Sequence, residues 1–216
     1  ALDVHMVPLS VLIDGETFKD QVEITSEQFY ERMANSEGLP QSSQPTPYDF
    51  EQMYNALAEQ GYEGVIAIHI AGVLSGTIES SRTAAEQVDI DVRVLDGARA
   101  GATASVALAV AEICKMRDEG ATLDEAEAKA KELLAKAEFL VAPETLENLL
   151  KGGRLSADQV KNASLLNIKP IFTFNEKGIL VAYGKAKGMR GVIKTFVSEV
   201  ENRTNEQGTL RIRFCH

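Results

Sequence analysis

The stretch that most constrains this chain is GVIAIHI, residues 64–70. Its apolar residues do not alternate with polar ones, so a strand built from it must be covered on both faces. Helical patterns flank it on either side, and parallel sheets roofed by helices meet that requirement. The residues beyond it repeat the theme. A helix is expected from Thr77 to about Val88, then a strand VRVLD (92–96), an alanine-rich helix to about Glu119, and a charged helix from Thr122 to Ala137. Alternation of this kind is the α/β signature.

The rest of the chain is read from turn and cap signals. The run VHMVPLSVLI (4–13) reads as a strand ended by the Asp14-Gly15 turn. Thr25 and Gln28 stand at capping-box spacing before an amphipathic helix over 25–36. The proline- and serine-rich LPQSSQPTPYDF (39–50) reads as an ordered, turn-rich loop in which Thr46 and Pro47 open a helix running to about Gln60. Beyond a short strand EFLVA (138–142) and a helix in PETLENLLKGG, the style changes. There a helix SADQVKNASLL, a hairpin IFTFNEKGILVAYGKAK turning near Lys177-Gly178, a helix from about Arg190 and a strand LRIRFC point to α+β structure. The expected organisation is an α/β unit over 1–140 and a smaller α+β unit over 141–216.

Ligands bind at the carboxyl ends of parallel strands, and AGVLSGT (71–77) leaves such an end. Its backbone amides, the following helix N-terminus and the hydroxyls of Ser75 and Thr77 suit an anion of modest charge. It has no lysine, so it is not a phosphate-cradling Walker loop. Read alone, serine and glycine before a helix are more often plain capping. Ser42 and Ser43 read alone as part of a solvated turn, and Arg154, after the glycines of LLKGGRLS, as a cation able to grip a carboxylate or to pair with the preceding helix end.

Other chemistries find less support. His5, His69 and His216 lack metal-ligand spacing, and His69 reads as a satisfied core histidine. No Gly-x-Ser-x-Gly elbow marks a nucleophile. A formal charge of −10, from 22 basic and 32 acidic residues, argues against nucleic acid as a partner. The longest apolar stretch, residues 102–114, is short of a membrane span and reads as a buried helix. The first ten residues carry no export signal, and the distant Cys114 and Cys215 suit reduced thiols in a cytoplasm.

VPLSVLIDGETFKD, SSQPTPYDF, LSGTIESSRTAAE, ETLENLLKGGRLS and LLNIKPIF occur in the order and at the spacing of the DegV family, which the chain resembles across most of its length. The resemblance implies two-domain α/β proteins that hold a long-chain fatty acid between the domains. It implies a non-enzymatic bacterial carrier, without metal or other cofactor, that presents the acyl carboxylate to a fatty acid kinase for phosphorylation. By position it assigns Ser42, Ser43, Ser75, Gly76, Thr77 and Arg154 to the carboxylate, and Lys187 to docking of the kinase. The small residues of 102–113 would leave room for part of an acyl tunnel. Where the family carries two serines before its LSGT, this chain has Ala71 and Gly72. By the same resemblance the family's first strand and its C-terminal segment are not represented. The other reading that the residues leave open is an enzyme acting on a small carboxylate or phosphate at the same loop.

Overall fold

A computed structural model of the chain describes residues 2–156, 167–207 and 210–212. Strands β1 (Ser10–Ile13) and β2 (Glu16–Lys19) form a hairpin whose turn residues, Asp14 and Gly15, both have positive φ, 51° and 82°. That is the backbone an Asp-Gly pair accommodates. The strand expected over 4–13 is confined to its last four residues, with Pro8, which has no amide proton to donate, ahead of it. Helix α1 (Ser26–Asn35) starts on the expected capping box of Thr25 and Gln28. Strand β3 (Gln41–Ser43) is a departure from the expected loop. It pairs antiparallel with β1, Ser42 opposite Val11 and Ser43 opposite Ser10, completing a three-stranded sheet in the order β2-β1-β3. The second edge of β1 supplies hydrogen bonds that a turn-rich segment cannot make locally.

Helix α2 (Pro47–Glu59) is capped by Thr46 and Asp49 with Pro47 in its first turn. It is followed by β4 (Gly64–His69), α3 (Thr77–Ala85), β5 (Asp91–Asp96), a 3-10 turn over Ala98–Ala100, α4 (Thr103–Asp118) and α5 (Leu123–Lys136). β4 and β5 pair in parallel from Gly64 opposite Asp91 to His69 opposite Asp96. The unbroken apolar run is explained by what covers it. Ile66 and Ile68 pack with Leu95, Val106, Ala109, Ile113, Ala130 and Leu134 under α4 and α5. Val65, Ala67 and Val92 pack with Phe50, Tyr54, Leu57, Ala84 and Ile90 under α2 and α3. The alanine face of α4 is therefore filled by α5 and the strands, and Cys114 is a buried free thiol.

The later residues form α6 (Glu147–Lys151), β6 (Ile168–Phe174), β7 (Leu180–Lys187) and α7 (Gly188–Gln207). The hairpin of β6 and β7 turns as expected, with Asn175 Oδ1 accepting from the amides of Lys177 and Ile179. Two expectations are corrected. EFLVA is not a strand: only Val141 bridges, to Phe172, while Phe139 and Val141 contribute side chains to the cluster of Leu155, Phe172, Phe174 and Leu180. The helix in PETLENLLKGG begins at Glu147 rather than at the proline, with Thr145 Oγ1 accepting the Glu147 amide at its start. Of the SADQVKNASLL helix, 157–166 lie outside the described residues, as do 213–215 of LRIRFC and His216; 210–212 form no strand. The architecture is mixed α/β with a parallel strand pair at its centre.

Leu134 is 5% exposed and packs from α5 against Leu95 and the α4 face. Leu134→Ala is expected to lower unfolding free energy by about 2–5 kcal/mol, read from the midpoint of urea unfolding.

Candidate functional site

The loop leaving β4 is fixed from below by Asp96, the last residue of β5. Asp96 Oδ1 accepts the amides of Gly72 (3.1 Å) and Ala98 (2.7 Å). Ala71, fully buried, donates its amide to the Gly101 carbonyl at 2.9 Å, and the Gly97 amide donates to the His69 carbonyl at 2.9 Å. The ends of both parallel strands are thereby laced into one platform. A Cβ on Gly72 would stand 2.9 Å from Asp96 Oδ2 and 3.2 Å from the Ile78 side chain, so the platform leaves no slack there.

On this platform Ser75 and Thr77 face one another, their hydroxyl oxygens 2.8 Å apart, with Ser75 Oγ also accepting the Thr77 amide at 3.3 Å. One hydroxyl proton is used between them. With Ser75 as donor, the Thr77 hydroxyl retains its proton for an incoming acceptor. Gly76 admits a neighbour that the sequence does not announce: a Cβ here would collide with the Gln44 amide, whose Nε2 donates to Ser80 Oγ at 3.0 Å. Gln44 directly follows Ser43, so the segment after β3 and the loop after β4 do lie side by side. Ser42 and Ser43 themselves are exposed on β3. Next to Ser80 in sequence, Ser81 shares a buried hydroxyl–hydroxyl hydrogen bond of 2.6 Å with Tyr54, and burial raises the tyrosine pKa against the opposing effect of that bond.

Later residues reach the loop through apolar contact. Leu74 joins the cluster of Leu155, Phe172, Phe174 and Leu180, along with Phe139, Leu146 and Leu149. At the hairpin turn, a Cβ on Gly178 would lie 2.8 Å from Ala71 Cβ and 3.1 Å from the Ala98 carbonyl oxygen. Gly178 has a φ of 73°, so both conformation and space call for glycine. Arg154 follows α6, and its Nη1 donates to the Gly152 carbonyl at 2.6 Å on the surface, the helix-end pairing rather than a contact with the loop. Lys187 is exposed at the end of β7, seven residues along the strand from Leu180 and so roughly 23 Å from the turn that touches Ala71. A cleft of 540 Å³ opens beside the platform, between the end of β5, Leu134 and Ala135 of α5, and Glu176 of the hairpin turn. Among the described residues no group of three or more His, Cys, Asp or Glu could hold a metal ion, and no helix is long and apolar enough to cross a membrane.

His69 corrects another expectation. Its Nε2 is buried with no hydrogen-bond partner among the described residues, so it is not a satisfied core histidine. Its ring meets Phe50 edge-on at 5.5 Å. Burial pushes its pKa down from 6.5 to about 4, with Asp96 opposing the shift and Arg82 adding to it. The unfolded chain therefore binds the extra proton first as pH falls. The stability contribution of a neutral His69 is full above pH 6.5 and is lost progressively down to about pH 4, a change of about 3 kcal/mol. In His69→Gln that part of the pH slope should flatten relative to the parent, measured by denaturant unfolding between pH 7 and 4.

The family model described as "Uncharacterised protein, DegV family" matches residues 1–216. A DegV domain-containing protein of Listeria innocua is 36% identical over 202 residues, covering 89% of this chain and 68% of that protein. Among solved structures, a DegV family protein from Thermus thermophilus, described for its fatty acid binding, aligns with a TM-score of 0.79 at 32% identity over 93% of this chain and 71% of its own. The Streptococcus pneumoniae Fatty Acid Kinase (Fak) B3 protein, loaded with linoleic acid, aligns at 0.76 and 25% identity over 91% of this chain and 69% of its own. Sequence and fold agree over nearly all of the chain, and it belongs to the DegV family.

Proposed function

We propose that this protein binds a long-chain fatty acid, with the carboxylate at the Ser75-Gly76-Thr77 turn and the acyl chain along the apolar cluster that Leu74 enters. The observation that carries this reading is the amphipathic character of one short loop. Leu74 packs among phenylalanine and leucine side chains, and the next residue begins the paired hydroxyls. A polar head and an apolar tail joined by one bond have the matching shape. A single carboxylate charge is suited to hydroxyls, amides and a helix N-terminus, whereas a phosphate would call for more cationic charge than the loop offers. The fatty acid ligands of the Thermus and pneumococcal relatives support the same choice.

The reading extends to a carrier rather than an enzyme, acting in the cytoplasm with two units meeting near residue 140. In it, Ser42 and Ser43 form the rim beside Gln44, and Arg154 turns from the Gly152 carbonyl toward the bound carboxylate. Lys187, with Lys185 and Arg190, forms a cationic surface on a chain of formal charge −10 and meets a fatty acid kinase that phosphorylates the presented carboxylate. The kinase role is supported by the name of the pneumococcal relative.

Native mass spectrometry of the protein purified without detergent tests the reading: one fatty acid per chain is expected. Absence of lipid together with no uptake of added oleate or palmitate would remove it. Thr77→Val keeps the size of the side chain and removes its hydroxyl. It should weaken oleate binding by about 1–3 kcal/mol, measured by titration, with a smaller change in melting temperature. Unchanged binding with a markedly lower melting temperature would make Thr77 a helix cap alone.

A further inference from the structure

We propose that Glu138 is a latch that holds α7 to the platform beneath the ligand loop, and that its release frees the loop for ligand exchange. Glu138 lies between α5 and the later elements, and each of its carboxylate oxygens takes a different arginine. Oε1 accepts from Arg99 Nη2 at 2.9 Å, and Oε2 accepts from Arg203 Nε at 2.5 Å. Arg99 belongs to the 3-10 turn after β5 and Arg203 to α7, so one carboxylate joins segments about a hundred residues apart. Arg203 is itself held by the Glu199 carboxylate one helical turn earlier, which leaves its guanidinium little freedom. Glu138 is exposed and both bonds lie at the surface, so the latch acts through its two-pronged geometry and weakens as salt rises.

Its position gives the latch its effect. The turn carrying Arg99 is the same one whose Gly101 carbonyl accepts the Ala71 amide and whose Ala98 amide shares Asp96 with Gly72. The hairpin turn rests on it too, through Gly178 against Ala98, and Phe174 fills the space that a side chain on Gly101 would need. The loop, the turn and the later elements thus meet at residues 97–101, and Glu138 closes that junction from outside. With the latch intact, opening the loop requires moving the turn against α7. With it broken, local opening of 71–77 no longer carries that cost.

This inference rests on the fatty acid reading for its ligand arm, and the test separates the two. Hydrogen exchange of the ligand-free protein is expected to quicken on the order of tenfold at the Ala71 and Gly72 amides in Glu138→Gln, with amides inside α4 unchanged. Arg203→Gln should reproduce the effect from the other side, and the double variant should go no further than either single one, because the link from Glu138 to α7 is already broken in each. Oleate should leave Glu138→Gln faster than the parent. Parent-like exchange at Ala71 and Gly72 in both single variants, or additive effects in the double, would overturn the latch. If the parent takes up no oleate, the lipid reading falls while the exchange data still decide the latch.

Discussion

The site depends on one carboxylate oxygen. Asp96 Oδ1 ends β5, yet it holds the backbone of the loop leaving β4 as well as the turn leaving β5. Parallel strands leave their carboxyl ends without partners from the same ladder, and a loop rich in small residues has no side chains with which to brace itself. Asp96 supplies the brace at a point where charge-assisted hydrogen bonds to amides are strong. The hydroxyl pair of Ser75 and Thr77, the contact with Gln44 and the entry of Leu74 into the apolar cluster all depend on a loop held in one place.

Local signals made much of the fold legible. The Asp14-Gly15 turn, the capping box at Thr25, the Thr46-Pro47 helix start and the apolar run at 64–70 each specify their element with residues a few positions apart, and a turn, helix or strand forms at each. Elements that depend on distant partners were not legible. β3 is a strand because β1 has a free edge 31 residues earlier, with Ser42 opposite Val11. Phe139 and Val141 have strand-like side chains, yet only Val141 finds a ladder partner, at Phe172.

The candidate site divides along the same line. Ser75, Gly76 and Thr77 are contiguous, and the strand-to-helix setting drew attention to their loop, but read alone it favoured plain capping and only the family resemblance assigned them to a carboxylate. Gln44 and Asp96 did not stand out, although one directly follows Ser43 and the other ends a strand, because their partners are 36 and 24 residues away. The nearest signal for Gln44 was its place beside that serine. His69 was misjudged for a related reason: its position in a strand could be read, but whether a buried ring nitrogen finds a partner depends on every element packed around it.

The buried bond between Tyr54 and Ser81 bears on how the loop is aimed. Thr77 and Ser81 are four residues apart on α3 and so share one face of the helix. Fixing Ser81 against α2 therefore fixes the rotation of α3 about its own axis, and with it the bearing of the Thr77 hydroxyl one turn earlier. The helix works as a pointer whose pivot is set in the core, out of reach of anything that binds at its tip.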